Sequence, residues 1–375
     1  MNALMTEIRA LIRAARQAVV HSVDLIQVFT NFEIGRRIVE HEQQGSERAE
    51  YGKQTIKELA TDLTAEFGKG FSERNLRSMR KFYLLYAHRV PDNVPAASEK
   101  LTQGQKRRMS QGELISENAH LPIWQMPSAK LASPFTLSWS QYVFLISIDN
   151  NDERRFYEIE ASSSGWTLPE LKRQYGSSLY ERLALSRDKK GIMNLAAEGQ
   201  IISHPEDLLK DPYVLEFLGL DEKNRYSESD FESAIIDKLE HFLLELGKGF
   251  LFEARQKRFT FDEEHFFVDL VFYNRLLRCY VLIDLKIGTL THQNLGQMQM
   301  YVNYFDRFVK LEDEHPTIGI VLCKKKHDAL VEITLPAGSN IHAKAYQLYL
   351  PGKELLRQKL EEWSEEAGEL KEAEE

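Results

Sequence analysis

FFVDLVFYNRLLRCYVLIDLKIG, residues 266–288, is the stretch on which the fold turns. It holds two apolar runs, 265–273 and 279–286, separated by a short polar turn. Near-continuous apolar runs of this length read as buried strands, and so short a connection implies a hairpin. Each run is interrupted by an acid: Asp269 in the first and Asp284 in the second, with Lys286 two positions further on. The two-residue period of a strand puts Asp284 and Lys286 on one face, with Arg278, Tyr280 and Leu282 behind them. Hairpin pairing brings Asp269 toward the same face.

Working outward, residues 231–246 form an amphipathic helical pattern ended by Gly247 and Gly249, followed by a short strand-like run at 250–253. Downstream, 293–309 is helical, 317–323 reads as a buried strand, and 343–350 as another. The order is αβββαβ, and its β–α–β crossover implies a mixed sheet. Two carboxylates held together in an apolar sheet repel each other unless a cation neutralises them. Oxygen donors with open positions suit Mg²⁺ or Mn²⁺, and a neighbouring lysine can orient water and stabilise charge on phosphorus. The chemistry this supports is phosphodiester hydrolysis. An Asp-x-Lys pair alone is usually a solvated pair on a strand; the ordered set of elements around it is what distinguishes this one.

The N-terminal part reads differently. Helical patterns cover 3–43 and 51–67, and SERNLRSMRKFYLLYAHR (72–89) begins at a plausible Ser72 N-cap. Arg74, Arg77 and Lys81 recur at helical spacing with Arg80 beside them, opposite an apolar stripe of Leu76, Met79, Phe82 and Tyr83. A basic helix opening after a glycine turn fits the recognition helix of a helix-turn-helix; a solvated basic face is the plainer alternative. Residues 91–134 hold five of the eleven prolines and read as a linker, in which Lys106, Arg107 and Arg108 offer further phosphate contacts. Helical patterning resumes at 137–148, 153–161 and 167–186, the last with a Thr167 cap.

The chain has 375 residues, 48 basic and 57 acidic side chains, and a net charge of −9. Its length argues for two or three domains, and 43% hydrophobic with 28% charged residues is ordinary for a globular protein. The charge is uneven: residues 351–375 contribute −5, whereas 1–90 carry +3, which permits nucleic-acid binding at the N-terminal end. There is no apolar window long enough to span a membrane and no secretory signal pattern, so a cytoplasmic location is expected. Cys279 and Cys323 lie in apolar runs and read as core residues. Scattered histidines argue against zinc, and no Walker loop, GxGxxG or GxSxG occurs.

Residues 229–350 resemble the PD-(D/E)xK nuclease superfamily, through FLLELGKGFLFEARQKRF (242–259), the 266–288 stretch, GQMQMYVNYFD (296–306) and IGIVLCKKK (318–326). Together with GFSERNLRSMRKFY (70–83), LSWSQYVFLISI (137–148) and GWTLPELKRQYGSSLYERL (165–183), they resemble the YhcG-type (DUF1016) family over most of the chain. The resemblance implies a multidomain α+β protein. A mostly helical, winged-helix or helix-turn-helix-like DNA-binding domain would occupy 1–190, followed by a connector (191–228), a restriction-endonuclease-like α/β domain with a mixed sheet (229–350), and an acidic tail (351–375). It implies that Asp269 and Asp284 bind Mg²⁺ or Mn²⁺ and that Lys286 positions and activates water. Val268 replaces the name-giving proline, and Asp284 stands where glutamate is commoner. Superfamily members often add a helix glutamate, for which Glu232 is the first candidate and Glu240 the second. Gln297 resembles a glutamine of the crossover helix that would hold phosphate or water, with Tyr301 one turn on. The implied activity is metal-dependent cleavage of nucleic acid, most simply DNA, in defence or mobile-element processing with protein partners from such systems, and as a homodimer if duplex is cut. A non-cleaving DNA-binding protein and an RNA nuclease are the alternatives.

Overall fold

The computed structural model describes residues 24–42, 49–90, 134–185, 189–210, 212–220, 226–336, 338–350, 352–358 and 360. The start of the expected helix at 3–43, nearly all of the proline-rich linker with Lys106, Arg107 and Arg108, and the acidic tail past 360 lie outside the described residues. The chain divides into two units, Met1–Asn150 and Asn151–Glu375.

In the first unit the described elements are helices: α1 (24–42), α2 (Ala49–Phe67), α3 (Glu73–Tyr86) and α4 (Trp139–Leu145). Ser72 does cap α3, its hydroxyl accepting the Asn75 N–H at 3.3 Å. Ile38, Ile56, Leu76 and Met79 form a shared core. Gly35 is required where α1 crosses α3, because a Cβ there would lie 2.1 Å from the Met79 carbonyl oxygen. Phe82, Phe135 and Tyr142 pack ring against ring, holding α4 to α3.

The second unit opens with α5 (Asn151–Ser164), α6 (Leu168–Gly176), α7 (Leu179–Ala184) and α8 (Lys189–Glu198). The pattern at 167–186 predicts one helix; it is two, because Ser178 adopts a left-handed φ of 54° between α6 and α7. Next come β1 (Tyr213–Val214), α9 (Glu228–Asp237), α10 (Leu239–Leu246), β2 (Phe250–Phe261), β3 (Glu264–Asn274) and β4 (Cys279–Thr289). The chain continues through α11 (His292–Phe308), β5 (Ile318–Lys325), α12 (Asp328–Thr334) and β6 (Ile341–Gln347). The expected αβββαβ order is present, with the first helix broken at Lys238 and with β1 and α12 added.

The six strands run in the order β1-β6-β5-β4-β3-β2. β1, β6, β5 and β4 are parallel, and β3 and β2 are antiparallel to their neighbours, so the sheet is mixed. β4 alternates its side chains between two cores. Val281, Ile283 and Leu285 meet Phe231, Ile235 and Phe242 of α9 and α10, while Leu282 meets Leu295, Met298 and Val302 of α11. Gly319 of β5 lets α11 sit close, since a Cβ would come 2.7 Å from Met298. Both cysteines are buried and free. β2 is longer than the apolar pattern implies, because the polar residues 255–258 lie on the outermost strand, half open to solvent. Among the described residues no helix is long and apolar enough to cross a membrane.

A buried ionic network ties α6 and α7 to α10. Glu245 of α10 is fully buried and accepts Arg182 Nη1 at 2.6 Å and Arg173 Nη1 at 3.0 Å, and Lys210 Nζ donates to its backbone carbonyl. Burial would raise the Glu245 pKa, but Arg182, Lys210 and Arg173 overcome it and hold it at about 2. Lys210 is pulled down to about 8, by burial first and by the two arginines. Removing one partner leaves a charge stranded in the core, so Arg182→Ala should lower stability by about 3–5 kcal/mol in urea unfolding. The Glu245 contribution is complete above its ordinary value of 4.5 and is lost as pH falls toward about 2. Arg182→Ala should move that loss to higher pH.

Candidate active site

β3 and β4 pair from Asn274↔Cys279 as far as Leu270↔Ile283 and then part. β3 continues paired to β2 out to Glu264↔Phe261, and β4 continues beside β5 to Thr289↔Lys325. Asp269 and Asp284 are the first residues beyond the last β3–β4 pair, one on each arm of this fork. Parting strands leave backbone groups without ladder partners, which is costly unless something replaces them. Here side chains do so: Asp269 Oδ2 accepts the Leu285 N–H at 2.8 Å, and the Tyr301 hydroxyl of α11 donates to the Phe267 carbonyl at 2.9 Å.

Asp284 is 2% exposed. Lys286 Nζ lies 3.0 Å from its Oδ2 as an ion pair. Burial, and then the charge of Asp269, push Asp284 up to about 7 against the pull of Lys286. Burial works against the Lys286 ammonium, but Asp284, Glu228 and Asp269 outweigh it and raise its pKa. Glu228 Oε2, on the first turn of α9, is 3.5 Å from Lys286 Nζ. Lys286 is therefore held as a cation.

Glu232 of α9, 4% exposed, accepts Arg255 Nε at 2.7 Å and Gln256 Nε2 at 2.7 Å. The same Gln256 amide donates to Asp269 Oδ1 at 3.1 Å, so one side chain bridges the helix acid and the strand acid. Gln256 lies opposite Asp269, between the pairs Arg255↔Leu270 and Lys257↔Val268. It has a left-handed φ of 47°, a conformation that is uncommon for a residue with a side chain and concentrates at functional sites. Glu240, by contrast, is exposed on α10. Gln297 reaches the Tyr301 hydroxyl, and Tyr301 feels both aspartates: burial, then Asp284 and Asp269, raise its pKa. The fork thus gathers Asp269, Asp284, Lys286, Glu232 and Gln297.

The sequence pattern did not single out Gln256, Arg255 or Glu228. The first two lie in a polar run on an edge strand, where such residues are ordinary, and Glu228 lies in a polar first turn before the apolar pattern begins. Among the described residues no three His, Cys, Asp or Glu side chains converge into a complete metal site. Two adjacent carboxylates, one of them buried, fit Mg²⁺ or Mn²⁺, which keep waters in their shell. Because the Asp284 pKa is raised above its ordinary 3.8, the folded state binds the extra proton between about 3.8 and 7. Its contribution therefore falls as pH rises through that window. Asp284→Asn should remove that slope and raise the melting temperature of metal-free protein at pH 7.5, as read by calorimetry.

In the helical unit, Arg74, Arg77 and Lys81 of α3 line an open groove of about 750 Å³ with Val143, Ile146 and Ser147. Arg77 pairs with Glu73, and Lys81 Nζ is 3.6 Å from Asp149. Arg80 is not part of this groove: its Nε donates to both Glu42 oxygens, at 3.0 and 2.7 Å, bracing α3 against α1.

Residues 206–361 match the family described as the YhcG PDDEXK nuclease domain, and residues 7–182 match the DUF1016 N-terminal domain. The chain is 42% identical over 351 residues, 93% of its length and 91% of the relative's, to "Putative nuclease YhcG" of Escherichia coli (strain K12). Among solved structures, a repair endonuclease from Pyrococcus abyssi matches at 17% identity over 35% of this chain and 50% of that one, with a TM-score of 0.24. A complex of EndoMS with double-stranded DNA matches at 15% identity over 36% and 50%, also with a TM-score of 0.24. The alignments span half the length of those two proteins, and at that score neither bears on fold or substrate. The fork with its acids and lysine, and the sequence matches across both parts of the chain, agree: this protein belongs to the YhcG family, in which a DUF1016 N-terminal domain precedes a PD-(D/E)xK nuclease domain.

Proposed function

We propose that the protein is a divalent-metal-dependent nuclease that hydrolyses phosphodiester bonds of DNA, with the basic groove of its helical unit contributing substrate binding. The observation that carries this reading is the pair Asp269 and Asp284 at the strand fork with Lys286 Nζ 3.0 Å from Asp284. A Mg²⁺ or Mn²⁺ ion held by the two aspartates would act as a Lewis acid on the scissile phosphate. Lys286, kept as an ammonium, donates to the attacking water or a phosphate oxygen and stabilises the charge that grows there. Glu232, through the Gln256 amide, fixes the Asp269 carboxylate. Gln297, beside Tyr301, would hold the water or a phosphate oxygen. Hydrolysis exchanges one ester P–O bond for a bond to the water oxygen, and a water proton ends on the leaving sugar oxygen.

Purified protein incubated with supercoiled plasmid, linear duplex, single-stranded DNA and RNA, in Mg²⁺, Mn²⁺ or EDTA, tests this reading. Cleavage of DNA should require metal and fall by at least about 10²-fold in Lys286→Ala. Equal cleavage by wild type and variant would reject the site, and cleavage of RNA alone would reject the substrate. In the groove, Arg74→Ala should lower the slope of log affinity against log salt by about 1. Arg80→Ala should leave that slope unchanged and lower stability instead.

A further inference from the structure

Beyond the fork, the β2–β3 hairpin runs on alone. Its arms pair through Lys257↔Val268, Arg258↔Phe267, Phe259↔Phe266 and Thr260↔His265, and close at Asp262–Glu263, where φ is 52° and 66°. A two-residue turn with both φ positive matches the right-handed twist of the arms and makes a regular ribbon. One face of the ribbon is used: Phe259 and Val268 are buried beneath it, and Phe259 stacks on Tyr304 of α11 at 4.0 Å. Cross-strand partners share a face, so Arg258, Phe267, Thr260 and His265 form the other one.

That other face is open. Phe267 is 46% exposed. Its partner Arg258 has no acidic partner among the described residues and lies instead against His265, Nη2 to Nε2 2.8 Å, while the Thr260 hydroxyl reaches His265 Nδ1 at 3.0 Å. A single exposed phenylalanine is unremarkable on a protein surface. This one sits opposite an unneutralised guanidinium and two strand positions, about 7 Å along the chain, from Asp269. An aromatic face interleaved with positive charge, on the strand that carries Asp269, is the chemistry that tracks a single nucleic-acid strand.

We propose that this face is a platform for an unpaired nucleotide next to the scissile phosphate, a base stacking on Phe267 while Arg258 holds a neighbouring phosphate. The inference rests on the nuclease reading and gives it a substrate class: single strands, and the splayed arms of forked or frayed duplexes. In continuous duplex both faces of each base are covered by its neighbours, so the ring gains nothing there. Stacking has no hydrogen-bond code, so the preference is for structure over sequence.

The test uses the full chain as wild type, Phe267→Ala, Phe267→Trp and Arg258→Ala. The substrates are one sequence as single-stranded DNA, single-stranded RNA, blunt duplex and a fork with unpaired arms. Binding is read by fluorescence anisotropy in EDTA and cleavage as kcat/KM in Mg²⁺. Wild type should favour single-stranded and forked DNA over blunt duplex. Phe267→Ala should weaken binding to those two by about 5- to 150-fold and leave blunt duplex unchanged; Phe267→Trp should restore it. Arg258→Ala should weaken the same substrates and flatten their salt dependence. Equal effects of Phe267→Ala on every substrate, or none, would overturn the platform, as would a dimer in light scattering that Phe267→Ala disperses without altering DNA binding. The binding arm needs no catalysis, so a protein that binds forks through Phe267 but cuts nothing would support the platform while rejecting the nuclease reading.

Discussion

The Asp269 carboxylate accepting the Leu285 backbone amide is the contact on which the site depends. At that point the antiparallel ladder between β3 and β4 ends, and the carboxylate takes over a donor that a strand carbonyl would otherwise satisfy. The two acid-bearing strands can therefore diverge without leaving a buried N–H unpaired, and their divergence opens the space in which Asp269, Asp284 and Lys286 meet. Tyr301 performs the complementary service for the Phe267 carbonyl from α11. A strand pair that stayed in register would close the site; one that parted without these side chains would expose the sheet. Asp269 is thus structural at the fork, in addition to the metal-binding role proposed for it.

Charge burial recurs through the second unit with opposite outcomes. Glu245 is buried among Arg173, Arg182 and Lys210, and its environment favours ionisation strongly. Asp284 is buried beside another carboxylate, and its environment opposes ionisation despite Lys286. The first arrangement stabilises the native state, whereas the second costs stability, a cost that the proposed metal ion would relieve. Such a cost at the proposed reactive centre is the expected exchange between stability and activity. The Glu245 network also explains why α6 and α7 belong with the sheet: the arginines that neutralise Glu245 come from them. The sequence match to the N-terminal domain extends to residue 182, past the boundary between compact units at Asn150.

Much of this was legible in the chain itself. The apolar runs around Asp269 and Asp284, the helix from 293, and the strand at 317–323 follow from local hydrophobic period, because one buried face imposes its spacing on whatever sequence fills it. The acids and lysine stood out as charges inside those runs, and Glu232 and Gln297 came from family resemblance. Tertiary structure alone decided the rest. The outer half of β2 buries only Phe259 among polar, exposed neighbours, so the apolar run marked the strand only as far as 253. Gln256 acquires its role only because Asp269 pairs opposite it and Glu232 lies above it, contacts 13 and 24 residues away in sequence. Arg80 looks identical to Arg77 along the helix, yet Glu42, 38 residues upstream, claims it. Sequence period reports which side of an element is buried; which charged groups meet is set by the close packing of distant segments, and no local pattern encodes it.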